Sequence, residues 1–309
     1  MKVTVLPAPD LSPAHAQIWS QIQQVDPLLT SPYFTPAFVE TVASVRDDVF
    51  VGVVEDGNDG VGFFPFQRQR GEGVPVAHGV SDFHGLIASP GFVGRADELT
   101  RGCGLTAWQF HHVPVDQKLF EPFHRTLAPC PVIELSKGLG ANAGGPRTPR
   151  IIGRLTALAR QLARDHGPIR FEPAVNDRAA LHQLIAWKSA QYRRQGTRDR
   201  FEQSWLVRLL EQVLQTRTPA FAGLLSALYA GDELVALHMG MRSQRTLHYW
   251  FPAYATRFSR YSPGLQLLVK LVEWAPSAAI ERIDLGKGQE PYKLRVMGGT
   301  TVVAGGRVG

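Results

Sequence analysis

The feature that most constrains the fold is a run of three apolar segments in the second half of the chain, at residues 220–229, 234–242 and 246–254. Each has the length and the apolar content of a strand. Only a few residues separate these segments, and Gly231-Asp232 forms the first turn. Connections this short join strands that are antiparallel neighbours. We therefore predict an antiparallel meander at the centre of a mixed α/β fold.

Predicted helices and further strands surround this meander. The expected helices are 151–166, 177–194, one capped by Ser204, and 262–275, and the expected strands are 169–172, 280–285 and a last one at 293–303. From the strand at 169–172 to the strand at 280–285, the order is β-α-α-β-β-β-α-β. The first half shows a less complete version of the same order of helices and strands. We predict two tandem halves, residues 1–148 and 149–309, joined through the Gly- and Pro-rich segment 136–149.

Local signals in the first half agree with this organisation. Thr35-Pro36 combines an N-cap residue with proline at the first helical position. Residues 49–55 and 61–67 form a predicted hairpin around a turn at 56–60. Residues 74–88 follow, and we expect a strand there.

Composition excludes several classes of protein. The 309 residues are 44% hydrophobic and 19% charged, which indicates a folded globular chain. No apolar run is long enough to cross a membrane and no signal peptide is evident, so we expect a cytosolic protein. Cys103 and Cys130 are too few for a disulfide framework. The adjacent His111 and His112 should point to opposite faces of a strand, so no metal is expected.

Charge is distributed unevenly along the chain. Residues 1–149 contain 10 Lys and Arg against 15 Asp and Glu, whereas residues 150–309 contain 23 against 12. An excess of this size indicates that the second half binds an anion, such as cofactor phosphates, an acidic glycan or RNA. The alternative is a generic basic surface.

Polar residues cluster near the C-terminus, at residues 282–293. A predicted strand ends at Asp284 and Gly286, and a glycine-rich turn leads to Glu290, Tyr292 and Lys293. About 20 residues upstream, the sequence at 261–264 opens an apolar helix. Together, a strand end, a glycine turn and a helix N-terminus can hold an anionic ligand beside ionisable side chains.

Four segments resemble one known family: WKSAQYRRQG at 187–196, LVALHMG at 234–240, YWFPAY at 249–254 and DLGKGQEPYK at 284–293. The chain resembles the CelD-like (BioF2-like) acetyltransferases of the GNAT superfamily, which are associated with bacterial exopolysaccharide synthesis. These are similar to the FemAB aminoacyltransferases. The resemblance implies two tandem GNAT-like folds, each a mixed, mostly antiparallel sheet flanked by helices.

The resemblance also implies acetyl-CoA or another acyl-CoA as donor, bound by the C-terminal half. The Gln/Arg-x-x-Gly-x-Gly/Ala loop of common GNAT enzymes is absent, and residues 257–265 stand at its position. The resemblance then assigns donor binding to five residues: Tyr249, Arg257, Arg260, Ser262 and Gly264. The alternative is an ordinary helix start with two solvated arginines.

In this family an amine attacks a thioester, so the enzyme must move protons and stabilise charge. Tyr292 is the candidate acid for the leaving thiolate, and Glu290 or Asp284 the candidate base. Lys293 is the candidate for stabilising the negative charge that develops during the reaction, and His238 is a further catalytic candidate. The alternatives are purely structural roles: Asp284 would cap the Gly286 turn, and Tyr292 and His238 would be packing residues.

Five further residues are candidates for acceptor binding. Lys188, Tyr192 and Arg193 lie near one face of a predicted helix, although a solvated basic stripe has the same pattern. Asp82 and His84 are alternate residues and should project from one side of the expected strand, in the acceptor-side half.

The combined hypothesis is an acyl-CoA-dependent N-acyltransferase, with O-acylation left open. Its acceptor would be a small molecule, such as an amino sugar, or a lipid- or nucleotide-linked sugar, and polysaccharide-synthesis enzymes would be its partners. One alternative is a FemAB-like enzyme that uses aminoacyl-tRNA, the one case in which nucleic acid is expected. Another is a non-catalytic binding subunit of a polysaccharide synthase.

Overall fold

The computed structural model describes residues 1–57, 60–137 and 147–309, with side chains in the last range from residue 152. The centre of the predicted turn at 56–60 and most of the segment 136–149 therefore lie outside the described residues. The chain divides into unit 1, Met1–Cys130 with Thr301–Gly309, and unit 2, Pro131–Thr300.

Unit 1 begins with a strand that the sequence patterns do not predict. Its strands are β1 Lys2–Pro7, β2 Val49–Glu55, β3 Val61–Gln69, β4 Glu72–Val74, the short β5 Ile87–Ala88 and β6 Trp108–Pro114. Its helices are α1 Pro13–Val25, α2 Pro36–Ala43 and α3 Ala96–Gly102. Apart from β5, the order is β-α-α-β-β-β-α-β, which is the order predicted for the second half.

In unit 2 the strands are the end of β7 His124–Glu134, then β8 Ile169–Glu172, β9 Ala222–Ala230, β10 Glu233–Ser243, β11 Thr246–Tyr254 and β12 Arg282–Asp284. Its helices are α4 Arg147–His166, α5 Arg178–Arg194, α6 Ser204–Gln215, α7 Pro263–Trp274 and α8 Pro291–Val296. From β8 to β12 the order found in unit 1 recurs in unit 2. The predicted strand at 246–254 is confirmed residue for residue.

Both units have the same sheet topology. In unit 1 the strands lie in the order β1-β2-β3-β4-β6, and in unit 2 in the order β8-β9-β10-β11-β12. The last pair in each, β4–β6 and β11–β12, is parallel, and the other pairs are antiparallel. The predicted class, tandem GNAT-like folds with mostly antiparallel sheets, is confirmed.

A sixth strand completes each sheet from a distant part of the sequence. Strand β13, Gly299–Val308, pairs antiparallel with β6 in unit 1, and the end of β7 pairs antiparallel with β12 in unit 2. The units consequently divide after Cys130 and rejoin at Thr301, whereas the sequence places one boundary at 148/149. Local patterns carry no information on which strand will be the neighbour, because pairing is a long-range contact.

Each unit has an apolar core. Aromatic residues of unit 1 pack around Trp108, whose ring lies 4.9 Å from both Phe64 and Phe120. In unit 2 two buried clusters form, one around Leu247, Leu268 and Ile283 and one around Leu228 and Val235. These cores hold β11 and β12 in place.

Three local predictions need correction. Residues 291–296 form helix α8, so the last strand begins at Gly299 rather than at 293; Pro291 suits the first helical position. Ser204 is the first residue of α6 and gives no side-chain cap. Residues 75–86 are not a strand, since β4 ends at Val74 and β5 begins at Ile87.

The predicted cap of α2 is confirmed, because Thr35 Oγ1 accepts a hydrogen bond from Phe38 N at 3.2 Å. Replacing Thr35 with alanine leaves that buried donor without its partner. We expect Thr35→Ala to lower the free energy of unfolding by about 1 kcal/mol, measured by urea denaturation. Thr35→Ser keeps the acceptor and serves as control; equal stability of the alanine and serine variants would contradict the cap.

Candidate functional site

Strands β11 and β12 of unit 2 diverge after a short parallel pairing. Their register joins Thr246 to Arg282, Leu247 to Ile283 and His248 to Asp284. Beyond this point β11 continues to Tyr254, whereas the chain after Asp284 follows β7, and Leu285 N donates to Pro131 O at 3.0 Å. The divergence leaves the later part of β11 without β12 beside it.

Asp284 lies at the point of divergence and is buried. Its Oδ1 accepts a hydrogen bond from Gly286 N at 2.8 Å, and its Oδ2 lies 3.9 Å from His248 Nδ1. Gly286 has a φ of 70°, in the left-handed region that favours glycine. Asp284 therefore caps the Gly286 turn, which is the structural role that the sequence left open beside a catalytic one.

Lys293 on α8 is buried and holds the same turn from the other side. Its Nζ donates to Gly286 O at 3.3 Å and to Lys287 O at 2.9 Å, and lies 3.1 Å from Glu290 Oε2. These three contacts use the three donors of an ammonium group. Lys293 is therefore placed to position the turn and Glu290, rather than to meet a developing negative charge.

Lys188 on α5 contacts the stretch of β11 beyond the divergence. Its Nζ donates to Pro252 O at 3.3 Å and to Gln191 Oε1 at 3.2 Å, and lies 5.6 Å from the Tyr192 ring centre. Burial lowers the pKa of Lys188 to about 8, while Glu290 acts to raise this pKa and Lys293 to lower it. An amine with this pKa exchanges its proton near neutral pH.

The two candidate tyrosines of the site keep their protons more firmly than usual. Burial, and then Glu290, raise the pKa of Tyr292. Burial, and then Tyr292, raise the pKa of Tyr249, whose side chain packs in the core of unit 2. A higher pKa makes Tyr292 a weaker proton donor to a thiolate, although its hydroxyl can still donate a hydrogen bond.

His238 is fully buried, with its ring stacked on Tyr249 at 4.1 Å. A Cβ on Gly240 would lie 2.6 Å from His238 Cε1 and 2.5 Å from His248 O. The absence of a side chain at Gly240 therefore makes room for this imidazole. Burial, and then His248, lower the pKa of His238 to about 3, so the ring is neutral at physiological pH.

The start of α7 offers few main-chain donors. Pro263 has no N–H, and both Leu265 N and Gln266 N donate to Ser262 O at 3.1 Å. Within the first turn this leaves the N–H of Gly264. Ser262 adopts a φ of 55° and gives no side-chain cap.

The two arginines predicted beside this helix start both have acidic partners. Arg257 Nη2 lies 2.6 Å from Glu233 Oε2, and Arg260 Nη2 lies 3.4 Å from Asp165 Oδ2. Their charges are thus partly compensated at the surface. An anion there would meet less positive charge than the sequence indicates.

A groove of about 200 Å³ lies between α5 and the end of β11 in unit 2. Trp187, Ala190 and Arg194 line it from the helix, and Tyr254, Thr256 and Arg257 from the strand end and the following turn. Trp187 and Arg194 are not among the site residues predicted from the sequence. Their spacing of seven residues, which places both on one helix face, could have identified them.

The remaining candidates on α5 and in unit 1 have local partners. Arg193 Nη1 lies 3.5 Å from Asp199 Oδ2, and burial raises the pKa of Tyr192. In unit 1, Asp82 Oδ1 lies 3.7 Å from His112 Nε2, and His84 Nε2 accepts hydrogen bonds from the main chain at 111 and 112. Asp82 and His84 do not project from a strand, since β4 ends well before them.

The rings of His111 and His112 have centres 4.5 Å apart, so the expectation that they point to opposite faces is wrong. Even so, within residues 1–57, 60–137 and 147–309 no group of three or more His, Cys, Asp or Glu side chains is placed to hold a metal ion. In the same ranges, every helix is too short or too polar to cross a membrane.

Comparisons with known proteins agree with the observed topology. Residues 153–294 match the profile of the Acetyltransferase (GNAT) domain. The fold resembles that of FemX, with a TM-score of 0.62, 10% identity and coverage of 99% of this chain and 96% of the other. A search of curated proteins by sequence gives no match.

Two further structures share the fold. A tandem GNAT protein from the clavulanic acid biosynthesis pathway has a TM-score of 0.53 and 10% identity, with coverage of 99% of this chain and 98% of the other. A conserved protein of unknown function from Bacteroides thetaiotaomicron has a TM-score of 0.58 and 12% identity, with coverage of 96% and 98%. At such identities the likeness shows the fold alone. The match over residues 153–294 shows a GNAT acetyltransferase domain in the second unit and supports acyltransferase activity.

Proposed function

We propose that the chain is an acyl-CoA-dependent N-acyltransferase that transfers an acyl group to the amine of an amino sugar or a similar acceptor. The observation that carries the proposal is the divergence of β11 from β12 beside Asp284. It leaves a strand edge next to Lys188, Glu290 and Tyr292. A thioester laid along that edge would bring its carbonyl to these ionisable groups.

The free edge fits the pantetheine arm of CoA. From His248 to Tyr254 the strand spans about 20 Å at the usual rise per residue. Pantetheine is an extended chain with two amide groups, and such groups can continue the hydrogen-bond pattern of a strand edge, as in β-strand addition. When bound, the cosubstrate supplies the activated acyl group.

Proton transfer is assigned to two side chains. Glu290, whose side chain is exposed and oriented by Lys293, takes the proton of the attacking amine. Lys188 gives a proton to the leaving thiolate, because its pKa of about 8 lies close to that of an ordinary thiol. Tyr292 donates a hydrogen bond at the same site.

The acceptor is assigned by the resemblance described above and by the net positive charge of the second half. We propose an amino sugar, free or linked to a nucleotide or lipid, used for an extracellular polysaccharide. Polysaccharide-synthesis enzymes would then be its partners. Unit 2 takes the donor, and unit 1 is assigned to the acceptor.

The test is acyl transfer with purified protein. We expect acetyl-CoA to bind in calorimetric titration with micromolar affinity. We also expect release of free thiol that depends on an amino-sugar acceptor, with the N-acyl product identified by mass spectrometry. Binding of aminoacyl-tRNA but not of acetyl-CoA, or binding of neither, would reject the proposed donor.

Asp284 is expected to act by positioning the glycine turn. Asp284→Ala removes the acceptor of Gly286 N and frees the turn that carries Glu290, and a displacement of 1 Å can cost about 100-fold in rate. We therefore expect turnover to fall about 10- to 100-fold, measured as acceptor-dependent thiol release. Acetyl-CoA affinity should change little, and Asp284→Asn, which keeps an oxygen acceptor, should be milder.

Wild-type turnover in Asp284→Ala would remove the residue from the mechanism. If both variants were equally inactive with an unchanged melting temperature, the carboxylate charge rather than the turn would be the essential feature.

A further inference from the structure

We propose that segment 80–86 of unit 1 is held in place by an acid-sensitive latch, in which the ring of His84 binds strand β6 only while that ring is neutral. The segment carries Asp82, one of the candidates for acceptor binding. His84 is therefore a positioning residue, whose charge decides whether Asp82 is presented where the structure shows it. The latch itself does not depend on the proposed function, whereas its effect on the acceptor does.

The latch depends on a bulge in β6. Two residues of this strand, His111 and His112, lie opposite Gly305 of β13 alone. In a regular strand neighbouring N–H groups point to opposite edges, whereas a bulge disturbs this alternation. Both N–H groups donate to the same atom, His84 Nε2, at 3.2 and 3.0 Å. The bulge thus explains how one ring can hold two neighbouring main-chain groups, and also why the rings of His111 and His112 lie close together.

These two hydrogen bonds require a neutral imidazole. An Nε2 that accepts has a lone pair, so the proton of the ring lies on Nδ1. A proton on Nε2 would point at two N–H groups and abolish both contacts, and the burial of His84 also disfavours a charged ring. Protons therefore bind to the released segment in preference to the held one, so falling pH favours release. An ordinary histidine gains its proton between about pH 8 and 5.

Three further imidazoles surround His84 and act in the same direction. The ring centre of His111 lies 4.9 Å from that of His84, and the ring centre of His112 lies 5.9 Å from it. His78 follows, with its ring centre 5.3 Å from that of His111. Positive charge on any of these rings repels a charged His84. The repulsion is relieved when the segment leaves β6, so their protonation adds to the effect of acid.

His112 does not itself open the segment. Its Nδ1 lies 3.1 Å from Ser81 O, a contact that needs an N–H group and therefore survives protonation of the ring. Its Nε2 lies 3.7 Å from Asp82 Oδ1, and this carboxylate favours the charged form. Acid thus strengthens the hold of His112 on the segment and breaks that of His84. The sign of the pH dependence identifies which of the two rings controls release.

Both ends of the segment are fixed by contacts that do not titrate in this range. Tyr33 Oη donates to Val80 O at 3.3 Å. At the other end, Gln117 Oε1 accepts from Leu86 N at 3.0 Å and Gln117 Nε2 donates to Leu86 O at 3.1 Å. Release at His84 therefore frees the middle of the segment while its ends stay attached. The expected change is local and does not require unit 1 to unfold.

The experiment follows hydrogen exchange of the His111 and His112 amides in the full chain, by mass spectrometry between about pH 7.5 and 5. Exchange rates are corrected for the intrinsic effect of pH. Protection of these amides should fall about 10- to 100-fold in acid, because two hydrogen bonds are lost together. Peptides from β2, in the same sheet, report opening of the whole unit and should keep their protection.

Three variants identify the titrating ring. His84→Gln places an amide oxygen near the position of Nε2 and has no proton to gain, so protection should stay high at both pH values. His84→Leu has no acceptor, so protection should be low at both. His78→Gln is the matched control, because it removes an exposed imidazole next to His111 and should keep the fall in acid. If His84→Leu does not fold, the comparison of the wild type with His84→Gln decides alone.

Several results would overturn the latch. One is a fall of equal size in the wild type and His84→Gln, and another is unchanged protection of the wild type in acid. A parallel fall in the β2 peptides would overturn it too, since the opening would then be global.

The effect on the acceptor is measured separately, as acyl transfer from acetyl-CoA. In the wild type the KM for the acceptor should rise several-fold more between about pH 7.5 and 6 than in His84→Gln. The comparison cancels protonation of the acceptor amine, which is the same for both proteins, and acetyl-CoA affinity should be equal in both. Equal rises would reject the effect on the acceptor, and a chain that transfers no acyl group would reject the proposed function. In either case the exchange experiment still decides the latch.

Discussion

Replacing Lys188 with methionine is expected to lower turnover about 10²- to 10⁴-fold, the usual contribution of a general acid or base. Methionine keeps the length and apolar character of the side chain but cannot protonate the leaving thiolate. Methionine loses the hydrogen bonds to Pro252 O and Gln191 Oε1, at a net cost of about 1 kcal/mol each, so the fold should survive. The measurement is acceptor-dependent release of thiol from acetyl-CoA at saturating substrates.

The pH dependence separates a proton donor from a merely structural lysine. The pKa of Lys188 is about 8, so the acid form is present below this pH and is lost above it. Wild-type turnover should therefore fall as pH rises through about 8. In Lys188→Arg, which stays charged to much higher pH, that fall should disappear. A fall at the same pH in both the wild type and Lys188→Arg would exclude Lys188 as the titrating group.

Replacing His238 with phenylalanine is expected to make the protein markedly less sensitive to acid. The pKa of His238 is about 3 in the folded state, below the value of about 6.5 for an unfolded chain. Between these values the unfolded state binds more protons, so stability falls as the pH falls from about 6.5 to 3. For a shift of this size, the wild-type loss attributable to His238 is about 3–5 kcal/mol.

His238→Phe should abolish most of that loss without a large cost at neutral pH. Phenylalanine preserves a ring against Tyr249, and both ring nitrogens of His238 are buried without hydrogen-bond partners among the described residues. The measurement is the unfolding free energy against pH, with the exposed His182→Gln as control. Parallel curves for wild type and His238→Phe would show that the acid sensitivity arises elsewhere.

Much of the fold follows from local patterns. The strand at 246–254, the Thr35 cap and the helix ending at Arg194 are all confirmed, because each depends on neighbours in sequence: apolar runs, turn residues and an N-cap. Strand β1, whose burial alternates along its first residues, does not follow from the patterns used above. It completes the match in element order between the two units.

The candidate site was predictable in part. Residues 284–293 form one connected turn, held by Asp284 from one end and Lys293 from the other, so their proximity follows from their closeness in sequence. Their individual environments do not. The sequence does not show that Lys293 uses its three donors on Gly286, Lys287 and Glu290. Nor does it show that Glu290 lies close enough to Lys188 to affect the pKa of Lys188.

The sequence by itself determined the order of helices and strands between residues 169 and 285, the antiparallel meander and the glycine turn at 284–288, since these depend on short-range geometry and periodicity. Only the tertiary structure decided that β11 and β12 separate at His248 and that β7 and β13 complete the two sheets. It also decided that His238 is buried and that Arg194 faces a groove. Pairing, burial and pKa depend on residues far apart in the chain, which meet only when the cores of the two units form.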